Sequence, residues 1–399
     1  MTGLLPLADA YRRLLARAHP TDGQEVLVPA ALGRVLVEPR IIAAIDVPPF
    51  SNSSMDGYAV RAADTPGMLP LAGEVAAGAA AHVVLRPGSA MRIMTGAPLP
   101  PGADAVVPLE EATEADGAVR LQRAQPGAYV RLAGSDTRAG TELCLPGALM
   151  PAGIAVLTSL GLASVVVRRR PVVAIVSTGD ELVAPGQPLA PGQIYDTNGP
   201  ALAAAVLDAG GEPAVLPRVA DDAAAVERVL REAAGTADLL VTSGGVSVGR
   251  YDVVREVLQQ RGSLDFWRIA VQPGKPLAVG EMGGTTLIGL PGNPVSALVT
   301  FELFVRPYLR RLQGLDGDGR MRVRARPEGA IAKDPPRRAF LRVILWREDG
   351  ELHARAAGGQ GSAQLRPLAE ANGLLVVPEG EAATDPSRTY EAIVTGSLP

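Results

Sequence analysis

Val172-Val173-Ala174-Ile175-Val176 runs straight into Ser177-Thr178-Gly179-Asp180-Glu181, and two later segments repeat the arrangement. Asp238-Leu239-Leu240-Val241 meets Thr242-Ser243-Gly244-Gly245-Val246-Ser247, and Thr286-Leu287-Ile288-Gly289-Leu290 meets Pro291-Gly292-Asn293-Pro294-Val295-Ser296. Short β-branched runs bounded by polar, glycine- or proline-bearing loops read as buried strands. Between them lie helix signals. Asn198-Gly199-Pro200 opens 201–208, Asp221-Asp222 opens an alanine-rich run ending near Gly235, and Asn293-Pro294 opens 295–309. Strands alternating with helices imply a doubly wound, largely parallel sheet. Ligands of such sheets bind beyond the carboxyl ends of the strands, where all three polar loops fall. One shared site is therefore expected.

The loop chemistry narrows what that site holds. Gly244-Gly245 allows a close backbone approach, and the helix beginning at Pro294 offers free amides to an anion. Asp180, Glu181, Asp221, Asp222 and Asp252 stand at loops or helix starts nearby. Carboxylates beside an anion site imply a divalent cation between the like charges. A phosphorylated ligand with magnesium fits. Any one of these acids is more often a helix cap than a ligand, so the set carries the reading rather than its members.

Composition excludes several classes. With 399 residues the chain is long enough for several domains, and its net charge of −4 favours no nucleic-acid face. A single cysteine, Cys144, rules out an intramolecular disulfide and reads as a buried apolar filler or a bystander. Three histidines far apart in sequence make histidine zinc chemistry a poor fit. Neither a signal pattern nor an apolar run of membrane-span length is present, so a soluble, cytoplasmic protein is expected.

Outside the central stretch, apolar residues at helical spacing (Leu7, Ala10, Tyr11, Leu14, Leu15, Ala18) predict an amphipathic first helix. Residues 60–145 alternate in short runs broken by glycine and proline, the pattern of a small β-rich domain, and 154–160 reads as a returning helix. After a glycine-rich linker at 313–319, residues 321–399 alternate again as a separate β-domain. Arginines flanking a strand there, Arg337 and Arg342, read as surface charges, and Gly358-Gly359-Gln360-Gly361-Ser362 reads as a turn.

Ser51-Asn52-Ser53-Ser54-Met55-Asp56-Gly57-Tyr58-Ala59 resembles the N-S-x-M-D-G-Y-A signature of molybdopterin molybdenumtransferases, the MoeA and gephyrin E-domain family. Thr95-Gly96-Ala97-Pro98, Ser177-Thr178-Gly179-Asp180-Glu181-Leu182, Ser243-Gly244-Gly245-Val246-Ser247-Val248-Gly249, Pro273-Gly274-Lys275-Pro276 and residues 290–296 resemble further strings of that family, in its order. The resemblance implies an α/β multidomain protein. Residues 1–45 and 140–169 would form an interrupted N-terminal domain, 46–139 an inserted β-rich domain, 170–315 the molybdopterin-binding module and 320–399 a C-terminal β-barrel. It also implies the activity: molybdate and adenylylated molybdopterin enter, molybdenum is placed on the dithiolene, and AMP leaves.

Site roles follow from the same resemblance. Magnesium would sit near Glu181 and Asp252 with Asp221 or Asp222 close by, polarising the pyrophosphate. Gly244, Gly245 and Ser247 would contact phosphate or pterin, Asn198 the nucleotide part, with Pro291 and Pro294 beside them. Lys275, Ser296, Arg337 or Arg342, and Ser362 match the family's oxyanion ligands. Asp56 and Thr95 would reach the active site of a second subunit, making a homodimer with composite sites. A molybdopterin adenylyltransferase would be a further partner. Many relatives carry lysine where this chain has Gln272, a loss of charge expected to weaken oxyanion binding unless Arg268 substitutes. Two rival readings stand beside it: a different enzyme, since the central module resembles one shared with molybdopterin adenylyltransferases and with a nicotinamide-nucleotide-processing family, and a non-catalytic molybdopterin-binding scaffold of the gephyrin E-domain type. Matching strings outside 170–310 oppose the first, and Asp56, Glu181, Asp252 and Lys275 oppose the second.

Overall fold

The computed structural model describes residues 4–78, 83–220, 222–245 and 253–398. They form two compact units, one of residues 1–24 with 168–399 and the other of residues 25–167.

In the first unit the expected sheet is present. Its order is Glu212–Val215, Val172–Ser177, Leu239–Ser243, Thr285–Leu290, Pro276–Met282, Ser263–Arg268. The first four strands are parallel, Pro276–Met282 runs against them, and Ser263–Arg268 pairs antiparallel with it at the edge. Alternation sends Ile175, Val241 and Ile288 to one face and Val176, Leu240 and Leu287 to the other, and both faces are buried. Helices Asn198–Asp208 and Pro294–Thr300 cover the first face, while Ala223–Ala234 and Val253–Arg261 cover the second.

The helix Leu7–Leu15 joins the first face, where Ala10 and Leu14 are buried. Residues 1–24 thus group with the α/β unit and not with 140–169, as the domain division read from sequence has them. Its apolar stripe predicts that the helix docks, but a stripe does not name the partner. The helix expected at 295–309 extends from Pro294 to Leu312 and passes through a π turn at Phe301–Val305.

The C-terminal strands Arg322–Pro327, Tyr390–Val394, Gly373–Val377, Arg338–Glu348 and Glu351–Ala356 pair in that order. The parallel bridge of Arg326 and Pro327 to His353 and Ala354 then closes a five-stranded barrel. A two-residue strand of the central module, Val271–Gln272, adds to it beside Arg338 and Ala339.

The second unit holds a six-stranded sheet ordered Ala105–Pro108, Gly57–Val60, Ala90–Ile93, Gly67–Val75, Ala118–Leu121, Ala112–Ala115. Apolar clusters pack on both its faces. Cys144 is exposed, which sets aside the buried-filler alternative and leaves the bystander. Its strand, Glu142–Cys144, pairs with Arg40–Ile42, and alternation turns Leu143 inward and Cys144 outward. Among the described residues no helix is long and apolar enough to cross a membrane.

Candidate functional site

The three polar loops meet. A cleft of about 870 Å³ runs along the carboxyl edge of the central sheet, lined by Thr178, Gly179 and Glu181, by Ser243, Gly244 and Gly245, and by residues 291–294. Two of its glycines are required by geometry. Gly244 and Gly245 have φ of +90° and +66°, and a Cβ on Gly245 would lie 2.8 Å from the Val254 side chain. The Gly244 amide donates to the Leu290 carbonyl at 3.2 Å, so the second loop is tied to the strand that leads into the third, and a Cβ on Gly292 would lie 3.7 Å from Gly244 Cα.

Asn198 stitches the floor. Its amide donates to Ser243 Oγ at 2.7 Å and to the Gly292 carbonyl at 2.8 Å, joining the helix start to both glycine loops. Its Oδ1 is buried without a partner. The helix is capped from before it: the Asp196 carboxylate accepts from the Asn198 and Gly199 amides, both at 3.0 Å. Sequence reading passed over Asp196, although an acid two residues before a helix start is a capping signal. With Asp196 so occupied, Glu181 is left as the open acid. Its exposed carboxylate makes no hydrogen bond or ion pair among the described residues, and it folds over Gly179 at the cleft wall. The described residues contain no cluster of three metal-ligating side chains. Asp221, Ser247 and Asp252 lie outside the described residues. Asp222 caps its own helix by accepting from the Ala225 amide at 2.8 Å and is not part of the cleft lining.

At the antiparallel end of the cleft, residues 273–275 rest on the helix Pro294–Thr300. A Cβ on Gly274 would fall 2.3 Å from Thr300 Cγ2 and 3.7 Å from the Ser296 carbonyl oxygen. Lys275 is exposed, with no partner for its ammonium among the described residues. The barrel adds Ser362: its hydroxyl accepts from Asn293 Nδ2 at 3.1 Å, and its carbonyl accepts from the Val295 amide at 3.1 Å. Residues 358–362 are thus more than a surface turn.

Arg342 corrects the surface-charge expectation. It is fully buried, and no carboxylate pairs with it among the described residues. Its guanidinium donates to the carbonyls of Gly359 at 2.9 Å and Gly361 at 3.2 Å, while Gln360 bonds both the amide and the carbonyl of Arg342. Burial pushes this guanidinium below its usual pKa. What the side chain does is hold the loop that carries Ser362. In Arg342→Met the buried charge goes, and the exposed carbonyls of Gly359 and Gly361 can turn to water. Stability should then stay within about 1 kcal/mol of wild type, while amide exchange at 358–362 rises at least about tenfold. Hydrogen exchange checks this; unchanged protection of the loop would refute the role.

Arg337 is tied to Asp334 at 2.6 Å, and its carbonyl accepts from the buried Lys333 ammonium at 2.5 Å. Lys333, unremarked in the sequence, also donates to the carbonyls of Asp334 and Pro335, and burial lowers its pKa. Gln272 accepts from the Asp334 amide at 2.9 Å, a bond a lysine could not accept, and does not line the cleft.

In the second unit, Asp56 and Thr95 come together because the start of Gly57–Val60 lies beside the end of Ala90–Ile93. Asp56 Oδ1 accepts from the Thr95 amide at 2.6 Å and from its hydroxyl at 2.8 Å. The amide bond foremost, then the hydroxyl, holds this carboxyl below its usual pKa of 3.8. The stabilisation this brings is complete above that value and is lost as pH falls through the lower folded pKa, so Asp56 is ionised at neutral pH.

Comparison with known proteins covers the whole arrangement. Residues 5–161 match the MoeA N-terminal region (domain I and II), residues 174–311 a probable molybdopterin binding domain, and residues 324–387 the MoeA C-terminal region (domain IV). A Mycobacterium tuberculosis protein named molybdopterin molybdenumtransferase 2 is 44% identical over 355 residues, 85% of this chain and 87% of that one. The Haemophilus influenzae molybdopterin molybdenumtransferase is 38% identical over 389 residues, 94% of this chain and 95% of its own. Two crystal structures of molybdopterin biosynthesis MoeA protein from Pyrococcus horikoshii superpose with TM-scores of 0.84 and 0.82. They are 34% and 28% identical, and cover 99% and 98% of this chain and all of their own.

Proposed function

As this chain belongs to the molybdopterin molybdenumtransferase (MoeA) family, we propose that its loop cleft is the place where molybdenum is inserted into molybdopterin, with adenylylated molybdopterin and molybdate as substrates and AMP as product. The protein is an enzyme of molybdenum cofactor biosynthesis. One observation carries the finer reading: Gly244, Gly245 and Gly292 line the cleft together with an open acid, Glu181, and with Pro276, the residue that follows the exposed Lys275.

Each group then has a task. Backbone amides of the glycine loops take phosphoryl oxygens, which the absence of side chains lets approach closely. Asn198 holds the floor rigid by bonding two of its loops, so that the phosphates are positioned rather than gathered. Lys275, Ser296 at the helix start and Ser362 adjoin residues that line the cleft, Pro276, Pro294 and Ala363, and are the candidates for an oxyanion such as molybdate, with Arg342 keeping the Ser362 loop in place. Glu181 suits magnesium: it is a hard oxygen donor with no competing partner, beside a phosphate floor. Magnesium would supply charge neutralisation at the pyrophosphate being cleaved.

A homodimer with composite sites is part of this proposal. Its supports are the exposed, ionised Asp56 with Thr95, and large apolar side chains left exposed in the same unit. Leu27, Ile42, Leu132 and Met150 are 66%, 68%, 63% and 69% exposed. A molybdopterin adenylyltransferase is the class of enzyme that must supply the substrate, and the cytoplasm is the compartment that fits.

The test is AMP release from adenylylated molybdopterin with magnesium, with and without molybdate. Molybdate-dependent release that falls to background on chelation of magnesium is the expected result. Nucleotide binding without release would instead point to a molybdopterin-binding or scaffold role.

A further inference from the structure

The turn that carries Glu181 is closed through one atom. Residues 179–182 form a β-turn in which the Leu182 amide donates to the Gly179 carbonyl at 3.2 Å. That bond is at the long end of the usual range. Gly179 does little to stiffen it, since its φ of +142° belongs to backbone that glycine visits freely and other residues rarely adopt. The Glu181 carboxylate folds back over this same residue, where a Cβ would meet Oε2 at 2.7 Å. Where the carboxylate stands therefore depends on how the Gly179 peptide is turned.

A carbonyl oxygen accepts twice, and the second bond comes from Arg218, whose Nη1 donates to Gly179 at 2.9 Å. The sheet puts this arginine there. Beyond Glu212–Val215 the chain keeps following its neighbour: the Leu216 amide donates to the Ile175 carbonyl at 3.0 Å and the Val219 amide to the Ser177 carbonyl at 3.2 Å, and Val219 bridges Thr178 in parallel. Val219 is buried in the core of the second face, which fixes the backbone and turns Arg218 outward. Arg218 is exposed, and it does not line the cleft. An exposed arginine on one carbonyl adds little to stability, but a charged donor orients the group that it holds.

We propose that Arg218 is a positioning residue for Glu181: by holding the Gly179 carbonyl it fixes the turn that sets the carboxylate at the cleft wall. This rests on the reading of Glu181 as the working acid of the cleft. It adds a residue that acts from behind the loop, through a single peptide group, without touching what the cleft binds.

The test compares the full chain as wild type, Arg218→Met, Arg218→Lys, Glu181→Gln and the Arg218→Met, Glu181→Gln double variant, by amide hydrogen exchange and by molybdate-dependent AMP release. In Arg218→Met the Leu182 amide should exchange at least about tenfold faster, because its acceptor has lost the group that orients it. AMP release should fall about tenfold, the scale of one charge-assisted hydrogen bond. Arg218→Lys keeps a charged donor and should recover most of both. On the Glu181→Gln background the methionine should cost less than about twofold, since a residue that acts through the carboxylate then has nothing left to position. An equal loss on both backgrounds would overturn the inference and leave Glu181 in place, as would wild-type exchange at Leu182 or wild-type AMP release in Arg218→Met. If Glu181→Gln alone keeps the wild-type rate, the reading of Glu181 is what fails, and the inference falls with it.

Discussion

Gly57→Ala is expected to destabilise the second unit by about 3–5 kcal/mol. A Cβ at Gly57 would stand 2.1 Å from the Val107 carbonyl oxygen and within about 3 Å of two more backbone atoms of Val107 and Pro108. Those atoms belong to a neighbouring strand of the same sheet, not to a flexible side chain that could swing away. Gly57 also faces Ile93 on the other side, so the strand cannot slide to make room. Relief requires the Gly57–Val60 pairing to open, and with it the packing of Tyr58, Ala59 and Val60, all buried. The loss should appear as an early unfolding transition in urea, with a later one from the unit of residues 1–24 and 168–399 kept near its wild-type midpoint. A shift below about 1 kcal/mol would mean that the sheet tolerates a wider strand spacing than the geometry allows. Asp56 adjoins Gly57, so AMP release should fall in step if the second unit contributes to the active site.

Glu181→Gln should lower molybdate-dependent AMP release by about a hundred- to a thousandfold, a loss of roughly 3–4 kcal/mol of transition-state stabilisation. Glutamine keeps the volume that folds over Gly179 but removes the charge. Folding should be untouched, because Glu181 meets the neighbouring segment through its backbone carbonyl, which accepts from the Ile194 amide at 2.9 Å, and its side chain is exposed. If the carboxylate holds magnesium, the variant should need a higher magnesium concentration and regain part of the rate there. An unchanged rate and magnesium dependence would remove Glu181 from the metal site. A lost rate with unchanged magnesium dependence would reassign it to the substrate.

What could be read in advance followed local physics. The three strand-and-loop runs foretold the sheet, and the rule that ligands meet the carboxyl edge brought Glu181, Gly244 and Pro294 into one cleft before any geometry was known. Residues whose role depends on a distant partner were not legible. Arg342 reads as a surface charge because nothing near it in sequence announces the loop carbonyls that it holds. Gln272 reads as a missing charge, whereas its oxygen is occupied by the amide of Asp334, sixty-two residues on. The helix Leu7–Leu15 displayed its apolar stripe, but the surface that takes it is made of residues beyond 168. Leu189, Ile194 and Tyr195 sit in a stretch without periodicity, and their place in the cleft lining follows only from the pairing of Leu182–Val183 with Ile194–Tyr195.

The strand Val271–Gln272 bears on how such a protein can be taken apart. It leads directly into Lys275, yet its neighbour is the barrel strand that begins at Arg338. A barrel excised after the 313–319 linker would leave behind the segment that occupies its edge, exposing the backbone of Arg338 and Ala339 as a sticky margin. The truncated remainder would carry residues 273–275 on an unanchored stalk. Recombination between homologues should therefore succeed only when 271–272 and the barrel are inherited together, so the unit of exchange is not the one that the linker marks out.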